Sequence, residues 1–544
     1  MSNFIIKELM MLKNNFIFYI FIMIFVQVFA QDNIRLTTES KEIAVIESTN
    51  DSKILIDYTL VDLAYIVTQP NGKVSVYYHN NLIVECDKVK EKSFHFNKIS
   101  TVLMFIACKD GKEYMYANEK SGPAFDEIIA ESISLYKNIQ LMSYIARKDN
   151  QWYVIKTQFL PFEEYISPAY NKVKFDSIRL SSWMYQNIYT VMIDNKWCVV
   201  SAGKPGIGYD DVKTPVISDD GNLYAFSAKT GDKWKLVVCE NGNKKFSLKM
   251  SDIKYDDIEN ISISPDNTKI VFAGKGNDKY RLMVFSRLKE YYKKEGNIDI
   301  NISDHLNNTI VSGSHPDIMA FEFGVAERYD MINNVVFSPD SQHFAFIAKR
   351  NKAWYLIADG EVVEKCEGID YLTYDKKGNL IYAAKNAGYW QVHVGNKIGK
   401  QYVSIRKPVL SNDCNKIAYA AKIENKWTIV VDDETHGKIY DDVGQPVFSN
   451  QGLMTAYAAK NADKWFMVLD GHEMEKFDSI LNDRIIFEAD FSRSIDKYGI
   501  LTRPAQVRYL GVINIPDQTT KKIKKKIIEK TDMLEFVEKN NDKK

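Results

Sequence analysis

Proline is scarce in this chain, 13 in 544 residues, and glycine is modest at 26, which excludes a collagen-like or Pro/Gly-rich disordered polymer. Net charge is missing as well. Lys+Arg and Asp+Glu both number 71, so no global field recruits nucleic acid or an anionic membrane. Cysteine is limited to Cys86, Cys108, Cys198, Cys239, Cys366 and Cys414, with no C-x-x-C pair and no histidine at metal-ligand spacing. These positions fit small buried hydrophobes, with at most one disulfide. The histidines are scattered and form neither H-E-x-x-H nor H-x-E, and no G-x-S-x-G pentapeptide occurs. The sequence therefore assigns no catalytic residue, no metal and no cofactor.

Long apolar runs are absent after the first thirty residues. Lys7 and Lys13 precede an apolar stretch from Phe16 to Val28, which ends in Val28-Phe29-Ala30 before Gln31. A run of roughly 13 residues is short for a ~30 Å hydrocarbon layer, and small residues stand where a signal peptidase cuts. Residues 1–30 read as a secretory signal peptide. The mature chain is then expected to be exported, periplasmic or extracellular, with no transmembrane segment.

What fills the rest is a repeat. Ile417-Ala-Tyr-Ala-Ala-Lys422 followed by Trp427-Thr-Ile-Val-Val-Asp432 returns as Thr455-Ala-Tyr-Ala-Ala-Lys460 followed by Trp465-Phe-Met-Val-Leu-Asp470. The same phrase recurs around Trp152, Trp197, Trp234, Tyr280, Trp354 and Trp390, always with an aromatic eight positions earlier. Sixteen positions before the anchor stands a serine (Ser181, Ser218, Ser264, Ser338, Ser411, Ser449), with Tyr136 and Tyr374 as exceptions. Two weaker copies run from Tyr65 to Cys86 and from Phe105 to Phe125. Each copy reads as four short strands bounded by turn residues, closing in Tyr209-Asp-Asp-Val212 or Tyr440-Asp-Asp-Val443. Four antiparallel strands in about 37 to 46 residues make one propeller blade. The fold class is all-β: a β-propeller of about ten blade-like repeats within residues 31–515, arranged as two rings or one wide ring. A tryptophan repeated in register is an inter-blade packing residue rather than a ligand platform.

Ser264-Pro-Asp and Ser338-Pro-Asp, each followed by an apolar-aromatic strand, resemble the TolB-like and WD-repeat-like propellers of bacterial envelopes over roughly residues 60–480. The resemblance implies the fold and leaves the activity open, because propellers host many functions. TolB carries an α/β domain ahead of its propeller, and only about thirty mature residues precede the first copy here, so a Tol-system role is not implied. Prolyl peptidases with similar repeats carry an attached hydrolase domain, and no segment of that kind is left over.

Length variation concentrates between the anchor and the closing aromatic. The interval is 12 or 13 in the tight copies, 21 from Trp234 to Tyr255, 23 from Trp152 to Phe175, and 49 from Tyr280 to Tyr329. All of these fall between strands three and four, hence on one face of the array, and insertions on one face of a repeat protein mark the binding face. The longest, 286–327, contains Lys289, Tyr291, Tyr292, Asp304, His305 and His315, the candidate partner-binding residues. On the opposite face, basic residues five before the anchor alternate with the closing Asp pairs, the pattern of a solvated salt-bridge fringe. Residues 516–544 form a Lys-rich tail, helical or loose, in which Lys521, Lys522, Lys524, Lys525 and Lys526 offer a weak contact to an anionic surface. The function read from the sequence is a non-enzymatic scaffold for an envelope protein or polymer. The alternative is an enzyme acting on a glycan or peptide in the propeller channel.

Overall fold

The computed structural model describes residues 34–49, 53–58, 63–69, 71–78, 81–96, 102–135, 141–159, 162–181, 187–240, 247–249, 254–287, 309–310, 314–315, 318–324, 328–480, 485–489, 492–496, 499–503, 505–516 and 522–536. Among them the chain is all-β, apart from one short 3-10 turn at Glu91–Ser93. Antiparallel sheets follow one another in chain order, spanning 53–86, 88–121, 127–166, 172–205, 211–249, 257–324, 331–366, 368–398, 404–440 and 442–477. They are called here the first to tenth sheets. In each, four strands pair with their sequence neighbours, and in several the first strand is broken into two short pieces that both pair with the second.

The repeat phrase explains how these sheets stack. The second strand is buried on both faces, so it reads as a nearly unbroken apolar run; Ala418, Tyr419, Ala420 and Ala421 are all buried. Its alanines let neighbouring sheets approach, and its aromatic meets the closing aromatic of the preceding sheet. Tyr209 and Phe226 pack edge to face at 6.0 Å between ring centroids, Tyr255 and Phe272 at 5.7 Å, Tyr402 and Tyr419 at 6.0 Å, and Tyr440 and Tyr457 at 6.3 Å. Such pairs contribute about 1 kcal/mol beyond the area they bury. The anchor heads the third strand and pairs in register with the closing residue, as in Trp197 with Tyr209, Trp234 with Tyr255 and Trp465 with Phe477. The tryptophans pack into the hydrophobic clusters between sheets.

Three details correct the sequence reading. Trp152 pairs with Tyr170, not Phe175; Phe175 instead lies against the Trp152 ring at 4.8 Å. Tyr374 is no true exception to the serine rule, because the turn of the eighth sheet is one residue shorter. Asp375 takes the serine's place, accepting the N–H groups of Lys377 and Asn379 at 2.8 Å each. The third concerns the chain ends. Lys522–Phe536, expected as helix or loose tail, is a strand that pairs along its whole length with Ile34–Thr49 and, from Ile523 to Leu534, with Ala505–Pro516. Ala505–Pro516 pairs in turn with Ser479–Ile480, so the first and last strands of the described chain share one sheet. This closing sheet obeys the repeat: Tyr509 is buried and receives Phe477 edge to face at 6.1 Å, as a second-strand aromatic does elsewhere.

Candidate functional site

The array has two chemically distinct ends. At one end the 1–2 and 3–4 turns are tied together. The N–H that begins the second strand donates to a side chain of the 3–4 turn, Leu103 to Asn118 Oδ1 (2.8 Å), Phe344 to Asp359 Oδ1 (3.0 Å) and Ile417 to Asp432 Oδ1 (3.0 Å). The 1–2 turns are built on the repeated serine. Its hydroxyl donates to an aspartate two residues on, Ser218 to Asp220 and Ser411 to Asp413 at 2.6 Å each, and accepts the N–H that opens the second strand. Hydrogen bonds from Ser411 and from Asn415 hold the Asp413 carboxyl down at about 2.

At the other end the 2–3 turns and the 4–1 links meet through the closing aspartate. Asp210 pairs with Lys196 of its own sheet and accepts the Gly231 N–H from the 2–3 turn of the next sheet (2.7 Å). Asp87, Asp126, Asp330 and Asp441 repeat the arrangement with Lys73, Lys112, Lys279 and Lys426. Their second oxygens accept the N–H groups of Asp110, Asp149, Asn351 and Ala462 in the following sheets. Hydrogen bonds from the lysine ammonium and the turn N–H hold all five carboxyls below the ordinary range. The basic residues five before the anchor are not a free cationic ring. All but Lys385 lie over the anchor rings of their own sheets, Lys349 at 5.1 Å from Trp354 and Lys422 at 5.9 Å from Trp427. This end is a fastening between sheets.

The end with the 3–4 turns carries the long insertion. Its sheet places Lys279–Arg287 third and Ile318–Gly324 beside it, with the short strands Thr309–Ile310 and Ser314–His315 added to the latter. Of the predicted partner-binding residues, Lys289, Tyr291, Tyr292, Asp304 and His305 lie outside the described residues. The His315 backbone pairs with Ile318, while its side chain lies outside the description. Lys521 likewise lies outside, and Lys522, Lys524, Lys525 and Lys526 belong to the Lys522–Phe536 strand.

A feature that sequence reading missed lies along the first strands of the seventh, eighth and ninth sheets, a cavity of about 520 Å³. Leu372, Leu410 and Ile417 give it apolar walls, and Asn334, Asp370 and Lys407 are its polar lining. The first strands there are bulged, between Asn333 and Val336 and between Asp370 and Thr373. The bulges carry left-handed residues at one repeat position, Asn334 at φ +49° and Tyr371 at φ +59°, matched by Asn260 at φ +53° in the sixth sheet. Asparagine tolerates this conformation. An aromatic residue does so at a cost of roughly 1–2 kcal/mol, and residues held this way cluster at binding sites. Burial, aided by Asp370, pushes the Tyr371 phenol up. The asparagines five residues after the closing aromatic are the sequence signal that marks these bulges.

Other titratable groups are structural. All six cysteines are free thiols. Cys86 and Cys366 occupy the closing-aromatic position, pair with the strand opposite and donate to the Lys88 and Gly368 carbonyls; burial pushes both thiols up to about 11. His393 stacks on Tyr382 at 4.5 Å and lies 3.7 Å from Glu364; burial holds its imidazole below the ordinary value. Glu164 accepts hydrogen bonds from Tyr144 (2.8 Å) and Thr157 (3.1 Å), and burial raises its carboxyl. Among the described residues no three His, Cys, Asp or Glu side chains group as a metal site.

With this architecture in view, comparison with solved structures returns propellers. TolB from Acinetobacter baumannii is 13% identical over 54% of this chain and 77% of its own, with a TM-score of 0.22. The Dos1 propeller is 9% identical over 72% and 94%, with a TM-score of 0.30. A prolyl endopeptidase is 11% identical over 69% of this chain and only 53% of its own, also at 0.30. The chain is similar to TolB and other β-propeller proteins. No protein-family model and no curated protein matches the chain. Among the described residues no helix is long and apolar enough to cross a membrane.

Proposed function

We propose that this chain is an exported, non-enzymatic β-propeller that holds an envelope protein or polymer through the 3–4 turns, chiefly the 286–327 insertion. The observation that carries the reading is a division of labour between the two ends. One end is consumed by the Lys–Asp fastening that repeats from sheet to sheet, whereas the other carries the insertion and the turns that vary in length. Insertions confined to one face of a repeat scaffold are how such scaffolds diversify their binding. We also infer that the ten sheets and the closing sheet form a single ring. Support comes from the shared sheet of the chain ends and from the packing of each sheet against the next in chain order. Export rests on the signal-like segment 1–30, and the lysines at 521, 522 and 524–526 are a second, weaker contact to an anionic envelope surface.

The test is crosslinking and pull-down from native envelope extract, with the mature chain and a 286–327 deletion side by side. Capture by the intact chain alone supports the reading. Equal capture by both removes the insertion from the site. Turnover of a glycan or peptide by the purified chain favours the channel-enzyme alternative instead.

A further inference from the structure

We propose that the cavity along the first strands of the seventh, eighth and ninth sheets is a second binding site, separate from the 3–4 insertion, for a short apolar peptide with free termini. Its size is that of a ligand pocket, about 520 Å³ within the usual ~300–1,000 Å³, and aliphatic side chains alternate with polar ones around its wall. Two opposite charges line it without neutralising each other. Asp370 accepts the Tyr371 N–H at 2.8 Å and has no cation partner among the described residues, and Lys407 has no ion-pair partner among them. The repeat's sheet-to-sheet ion pairs use other positions, Asp211, Asp257 and Asp442 with Lys174, Lys213 and Arg406, and so leave Asp370 and Lys407 at the cavity. A ligand that satisfies both carries an ammonium and a carboxylate on an apolar body, which is the chemistry of a free-ended peptide.

The backbone agrees. The bulge at Tyr371 and Leu372 takes both residues out of the register pairing with the second strand, on the edge that faces the cavity. Asn334 introduces the same break from the adjacent sheet. Peptide groups of a short ligand find polar partners there while its side chains meet Leu372, Leu410 and Ile417.

Calorimetric titration of the mature chain with leucine, dileucine and trileucine tests this. At least one is expected to bind saturably. N-acetylation should weaken that ligand about tenfold against the wild type and not against Asp370→Asn, and C-terminal amidation should weaken it about tenfold against the wild type and not against Lys407→Gln. Both substituted side chains are solvent-exposed, so the fold is retained, and the capped peptides report on the unaltered protein as well. Absence of saturable binding by all three free-ended ligands overturns the proposal. So does a capping effect that is the same in wild type and variants, because the charges would then not be what the ligand reads.

Discussion

Single residues carry the regularity of this array and also its exceptions. Cys414 sits at φ +56° in the 1–2 turn of the ninth sheet, where the fifth and tenth sheets place Gly221 and Gly452 at positive φ. Cys414→Gly is expected to raise stability by about 0.5–1 kcal/mol in a denaturant titration, since glycine adopts that conformation without a Cβ penalty. A loss of stability would mean that the thiol packs in a way the backbone does not reveal. Cys86 and Cys366, with thiols near 11, are expected to resist thiol reagents at pH 8 until the chain unfolds. Rapid native labelling at both would contradict their burial.

Acid should act at two stages, and the signs are the same for different reasons. Burial depresses the His393 pKa, so the unfolded chain takes up that proton first; its contribution is complete above about pH 6.5 and is lost as pH falls through the lower folded value. The fastening aspartates and Asp413 also have depressed folded values, so their contribution is complete above about pH 4 and is lost as pH falls through those lower values, about 2 for Asp413. Unfolding midpoints measured from pH 8 to 2 should therefore drop in two steps, and His393→Gln should remove only the first. A profile unchanged by that substitution would place the first step on another group.

At the scale of the element, the clearest lesson is what made a strand legible. The second and third strands announce themselves because both are flanked by sheets, and their apolar phrases recur at fixed spacing around a tryptophan. The spacing of Ser218, Ser264 and Ser411 likewise exposed the 1–2 turns, whose geometry depends on that hydroxyl. First strands were harder to read. In the second, third and fourth sheets the break or bulge of the first strand is held by a second set of buried serines, Ser93, Ser132 and Ser177, which donate to a carbonyl three residues back and accept an N–H from the second strand. That set is confined to three consecutive sheets, too few to stand out as a repeat. The first-strand cavity escaped for the same reason: it is assembled from residues of three sheets and has no local pattern. The Lys-rich strand escaped because its charges mimic a solvated tail, whereas two-sided pairing with Ile34–Thr49 and Ala505–Pro516 satisfies its backbone. Tyr509 is the joint between that closing sheet and the tenth. Tyr509→Ala should cost about 3 kcal/mol or more by equilibrium unfolding, as removal of a fully buried aromatic does. A cost below about 1 kcal/mol would mean that the closing sheet is not integral to the array.

For the whole molecule, a stack of sheets that each bury both faces needs its two ends covered; the sheet shared by the chain ends packs against the tenth, and in the single ring proposed above it would cover the first as well. In that proposed ring the two rims are the surfaces left to diverge. One of them is fixed by a lysine, an aspartate and a turn N–H repeated from sheet to sheet. The other carries the insertion, which on the proposed reading is how a fold of strict repeats acquires one irregular, recognising face. Single-particle electron microscopy of the mature chain beside the 286–327 deletion tests this most directly. The account predicts one ring in both samples, with the difference density projecting from the rim that carries the 1–2 and 3–4 turns. Two separate rings, or difference density on the rim of the lysine–aspartate fastenings, would contradict it.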